Sequence, residues 1–259
     1  MNKSFRNILI NSSLAFVSAF IITTFIHELS HYLSHLMFGA DPTLFHNYVQ
    51  TVDKPTSITA NVVSALAGPV MSLVQGIFFA FLFLRKKNNS AINLLLLWIS
   101  LLGYVNFFGY LVMTPFFTSG DTGKAAELLN LEYYIRFSIA IIGFVLLIWV
   151  ISKTGKNFSN FISEDRDLKK RSKYVYHVMF FPIIIGSIVN SILAFPAMVL
   201  LSVIYPATSS YVIMSSFGVI LKNSNSMNKS EIEEKINSSL FLIFVCSIIL
   251  NRLLTFGVG

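Results

Sequence analysis

Apolar positions along this chain fall into long, nearly unbroken runs, and short polar segments separate them. The runs cover residues 8–38, 59–84, 91–117, 135–151, 175–205, a shorter 211–221, and 240–256. A bilayer core asks for about 20 apolar residues per helix, and most of the runs approach or pass that length. The first would be roughly 45 Å long as one helix, so it tilts or its last turns leave the lipid. The run 175–205 contains Pro182 and Pro196, each able to kink a membrane helix, and reads as one bent span or a re-entrant pair. The expected fold is all-α, a polytopic membrane helical bundle of about six transmembrane helices, with seven possible. The polar stretch at 222–237 reads as a surface segment.

Composition supports the membrane reading. Of 259 residues 54% are hydrophobic and 12% charged, with 25 phenylalanines; soluble domains carry about twice that charge. The net charge of +7 would suit nucleic acid, but the lysines and arginines sit in short segments between apolar runs, which is a topology signal. No nucleic-acid partner is expected. Lys3 and Arg6, the Arg85-Lys86-Lys87 cluster and the basic stretch 153–173 agree if all are cytoplasmic, and the connections 39–58 and 118–134 then face outward, a contrast that Lys54 and Lys124 soften. The expected location is multi-pass in a bacterial cytoplasmic membrane with a cytoplasmic N-terminus. The single cysteine, Cys246, excludes an internal disulfide and a cysteine-based zinc site.

The first apolar run ends in an unusual stretch, FIHELSHYLSHLMFG. His27, Glu28 and His31 form H-E-x-x-H. On a helix, positions i and i+4 share a face about 6 Å apart. Two imidazole nitrogens can then hold one Zn²⁺ at about 2.0–2.1 Å each, and Glu28 lies where it can take a proton from water. Ionisable groups inside a membrane segment are costly and mark function. His35 continues the face, but two turns on, about 12 Å from His27, it is better read as an outer or interfacial residue. His46 and His177 are expected to bind water or backbone.

A catalytic zinc takes three protein ligands. Asp121 is the only aspartate between Asp53 and Asp165, and it follows Gly120 at the start of a helix expected over 122–131. Such a place suits a helix cap; with a zinc site lacking its third ligand upstream, Asp121 is preferred as that ligand.

Three features together resemble the site-2 protease family of intramembrane zinc metalloproteases, over residues 8–131. H-E-L-S-H lies on an apolar helix, Ala67-Gly68-Pro69 opens a second, and a third carries Asn106 ahead of Pro115 and Gly120-Asp121-Thr122-Gly123. The resemblance implies zinc on His27, His31 and Asp121, with Glu28 activating water and Asn106 holding substrate or oxyanion. It implies a membrane-embedded or membrane-proximal polypeptide substrate, unwound before cleavage because a helix hides its carbonyls. The chain departs from the family where Ser72 stands in place of the usual Asn, and where Thr122 separates Asp121 from Gly123. Residues 1–133 form the expected metalloprotease-like core. Residues 134–259 are accessory transmembrane helices with a polar loop at about 152–174. Gly68 and Gly76 are expected to let the second helix approach the first closely. The alternative function is a membrane metal-binding protein without hydrolysis: a transporter, a sensor or a degenerate peptidase homologue. A prenyl-protein protease would need a downstream glutamate ligand such as Glu127 or Glu132.

Overall fold

The computed structural model describes residues 3–52, 57–86, 88–162, 168–198, 200–222 and 231–259. Lys54, Lys87, part of the polar stretch (163–167) and most of the surface segment (223–230) lie outside the described residues.

The described chain is a helical bundle with seven helices long and apolar enough to cross a membrane: residues 3–37, 58–85, 91–113, 133–161, 168–193, 202–222 and 238–256. It is a multi-pass membrane protein. The centre is α1 (Lys3–Met37), 35 residues long. Polar residues in its first half are buried with partners. The Asn11 amide donates to the carbonyls of Ile232 (3.1 Å) and Lys235 (2.8 Å). The Ser12 hydroxyl donates to the Val178 carbonyl at 2.5 Å and accepts from the Trp98 indole at 3.1 Å. That Val178 bond has a covalent cause. Pro182 has no N–H to give to the carbonyl four residues back, and Ser12 satisfies it instead.

Around α1 stand α2 (Ile58–Arg85) and α3 (Ala91–Met113). The third span is shorter than the apolar run 91–117, because Pro115 has no N–H with which to continue the helical ladder. Its first turn is capped by Ser90, which accepts from the Asn93 N–H at 3.2 Å. α3 is the most enclosed span, and Leu94, Leu97, Trp98 and Leu101 form the core with Phe16, Phe158 and Phe161. Trp98 meets Phe16 edge-on with ring centres 5.0 Å apart. A Cβ at Gly103 would lie 2.6 Å from the Ser72 carbonyl, and one at Gly76 would lie 2.8 Å from the Tyr104 ring. Gly76 therefore seats α2 against α3, not against α1 as expected. The outer faces of α2 and α5 (Tyr133–Gly155) leave Val74, Ile77, Phe78, Phe81, Ile142, Val145 and Trp149 exposed, a surface suited to hydrocarbon.

The expected polar loop at 152–174 is largely helical where described. α5 tightens into a 3₁₀ turn, Lys156–Phe161, and α6 (Leu168–Val175) starts before the apolar run does. The aromatic side chains of Phe158 and Phe161, fully buried, draw the stretch into the bundle. After a wide π-helical turn, Tyr176–Phe180, α7 (Phe181–Leu193) completes the fifth span. The run 175–205 is thus neither one bent span nor a re-entrant pair. It divides at 194–197, and α8 (Leu200–Ser209), a 3₁₀ segment (Ser210–Ser216) and α9 (Phe217–Lys222) form a separate span that absorbs the short run 211–221. Side chains hold the break open. Arg252 donates to the carbonyls of Leu193 and Phe195, while His46 (3.0 Å) and Asn47 (3.1 Å) both donate to that of Ala194. The short α10 (Glu231–Glu234) and α11 (Ser238–Leu253) finish the chain.

The first loop carries structure that no apolar alternation signalled, a hairpin of β1 (Pro42–Leu44) and β2 (Val49–Thr51). Val258, near the C-terminus, pairs with Leu44 on the hairpin. Alternation of seven spans places this hairpin, the 114–120 connection and the 194–197 break at one end of the bundle, opposite Lys3.

Candidate metal centre

Four elements converge near that end. His27 and His31 leave α1 on one face, as their spacing requires, with ring centres 4.7 Å apart. α4 (Asp121–Leu128) begins after the turn that follows α3, and Gly120 occupies its cap position. Asp121 is therefore not the cap. Its carboxylate reaches Nε2 of His27 at 3.0 Å and Nε2 of His31 at 3.2 Å, and the two Nε2 atoms are 3.0 Å apart.

The far sides of both imidazoles are tied down. A carbonyl only accepts, so the 2.7 Å contact between His31 Nδ1 and the Ser64 carbonyl puts a proton on Nδ1. Ser72 donates its own proton to the Gly68 carbonyl at 3.0 Å, which leaves its oxygen to accept from His27 Nδ1 at 3.2 Å. With the rings neutral, both Nε2 lone pairs and a carboxylate oxygen face a single point. Three acceptors at that separation repel unless a cation lies among them. Tetrahedral bonds of 2.0–2.1 Å separate neighbouring ligand atoms by about 3.3 Å, close to the spacing seen. The donor set therefore fits a metal ion.

Glu28 lies close enough to His27, His31 and Asp121 for its charge to act on all three. Asn106 is buried on α3 and does not hydrogen-bond to the triad. The Tyr205 hydroxyl of α8 lies beside its amide, and its carbonyl oxygen has no partner among the described residues. His35, half-buried, stands outside the metal-ligating group. His46 binds backbone at Ala194, and His177 binds the Lys173 carbonyl at 2.7 Å. Glu127 and Glu132 are exposed and stand outside the metal-ligating group.

Sequence reasoning passed over several residues that build this centre. Ser72 was visible only as a departure from a family pattern, and it orients His27. Ser64 acts through its carbonyl, which no side-chain pattern reports. Thr122, the other departure, donates to the Tyr110 carbonyl at 2.7 Å and accepts from Thr114 at 2.9 Å, which joins the start of α4 to the end of α3.

Gly68 does more than bring helices together. A Cβ there would lie 2.3 Å from His31 Nε2 and 2.7 Å from His27 Nε2. Gly68→Ala should favour the helix by about 1 kcal/mol, yet displace both ligand atoms and lower metal affinity at least about a hundredfold, past the range for outer partners. Gly109→Ala, with nothing within 4 Å, is the control and should bind metal like the parent. Titration against a chelator checks both. Comparison of the chain with protein-family models, curated proteins and solved structures finds no match.

Proposed function

We propose that the chain is an intramembrane zinc metalloprotease of the site-2 protease type, hydrolysing peptide bonds in or near the membrane segments of protein substrates. The observation that carries this reading is the meeting of Asp121 with His27 and His31, ninety residues apart in sequence, beside a glutamate in the H-E-x-x-H position. Zinc bound there would polarise a substrate carbonyl and lower the pKa of a water towards 7.

The protein's own groups do the rest. His27 and His31 present Nε2 because Ser72 and the Ser64 carbonyl hold their Nδ1 protons. Glu28 takes the proton from the attacking water and returns it to the leaving amine. Asn106 presents an unpaired carbonyl oxygen, suited to a backbone N–H of an unwound substrate. His31 lies six residues before the end of α1 and Gly68 ten residues after the start of α2, so cleavage falls roughly 9–15 Å inside the helix ends.

Charge sets the orientation. Lys3, Arg6, Arg85, Lys86, Lys153, Lys156 and the Lys169–Lys173 cluster share the end opposite the centre, which supports a cytoplasmic N-terminus in a bacterial-type cytoplasmic membrane and a site in the outward half. The test is purified protein in lipid nanodiscs, given peptides that span the bilayer with a helix-breaking residue in the outward half. Cleavage that chelator stops and zinc restores is expected. A fully zinc-loaded protein that cuts none of them would sink the reading.

A further inference from the structure

We propose that Tyr110, near the end of α3, is the positioning residue that aligns the α1 histidines with the α4 carboxylate. The proposal rests on reading His27, His31 and Asp121 as metal ligands, and on no assumption about hydrolysis.

Tyr110 touches both sides of the centre at once. Its ring stacks on the His27 imidazole with centres 5.3 Å apart and planes 10° from parallel. Its hydroxyl faces the Asp121 carboxylate. Its backbone carbonyl accepts from Thr122 at 2.7 Å. One residue thus contacts a ligand on α1, the ligand on α4, and the residue next to that ligand.

The centre needs such a strut. On the side away from Asp121 and His31, His27 has only the 3.2 Å hydrogen bond it donates to Ser72 to set its ring, and that single contact leaves rotation about the bond axis free. Tyr110 supplies the missing restraint, because a flat ring against a flat ring fixes the plane. Asp121 is the first residue of an eight-residue helix whose cap position, Gly120, makes no side-chain hydrogen bond. The Thr122 hydroxyl anchors that helix start, and its acceptor is again Tyr110. The two ligand-bearing elements therefore share one reference point, and the spacing of Nε2 and Oδ2 follows from it.

The test uses the full-length protein in detergent, with Zn²⁺ affinity from chelator competition and the visible spectrum of the Co²⁺ form as a report on ligand geometry. Tyr110→Phe keeps the ring and should keep the Co²⁺ bands. Tyr110→Leu removes the stack and should shift or flatten the bands and weaken zinc binding about 10–100-fold, the range for groups that orient metal ligands. A Tyr110→Leu protein with an intact thermal transition, parental zinc affinity and parental bands would overturn the assignment, since a residue that only fills space changes stability and leaves the spectrum alone. Should Tyr110→Leu fail to fold, Thr122→Val takes its place. It keeps the shape and removes the anchor, and parental affinity there overturns the proposal equally. A parent protein that binds neither metal overturns the ligand reading itself.

Discussion

Asp121→Asn should leave the bundle folded and strip it of zinc. The substitution keeps the shape of the side chain and removes the charge, and the remaining Nε2 pair on α1 is then a two-ligand site. Losing an outer partner of a metal ligand costs about 10–100-fold in affinity, so losing the ligand costs more. Zinc content after dialysis against a mild chelator should fall from about one per chain towards none. His27→Ala and His31→Ala should behave alike, because all three atoms lie within 3.2 Å of one another and serve one ion. An Asp121→Asn protein that keeps one tightly held zinc would mean that the carboxylate belongs to a different arrangement.

Glu28→Gln should produce the opposite pattern, a protein that keeps zinc and loses cleavage. Glu28 makes no hydrogen bond to the histidines, yet lies close enough to feel the charge of each ligand. Glutamine has the same outline and cannot accept a proton, so the step it disables is proton transfer, worth about 10²–10⁴ in rate. Nanodisc cleavage and zinc analysis on one preparation read both effects. Parental cleavage by the variant would remove Glu28 from the mechanism. A parent that holds zinc and cleaves nothing would favour a transporter or sensor, whose needs stop at the three ligands.

Parts of the site were open to reading and parts were not. The histidine pair was legible because its geometry is local: four residues of helix fix the spacing whatever surrounds it. Asp121 was legible only by elimination and resemblance, since ninety residues separate it from His31 and no local rule spans that gap. Tyr110 and Ser64 gave no signal at all. One looks like any aromatic in an apolar span, and the other contributes a carbonyl that every residue carries. The positions where the chain departs from the family pattern, Ser72 and Thr122, turned out to make hydrogen bonds that shape the centre.

The helix count divides along the same line. Hydrophobic runs long enough for a bilayer settled the fold class, because in hydrocarbon a backbone has few ways to satisfy its own polar groups. Where each helix stops was a tertiary matter. The run 175–205 breaks where Arg252, His46 and Asn47 donate to three consecutive carbonyls, and Asn11 on α1 is tied to α10, more than two hundred residues away. By itself the sequence determined an all-α membrane bundle and the H-E-x-x-H face on its first helix. Only the tertiary structure decided that a carboxylate completes that face, that Gly68 leaves room for an ion, and which hydrogen bonds turn both imidazoles towards it. Local covalent spacing dictates the first group, and the second depends on contacts between helices that exist only once the bundle has packed.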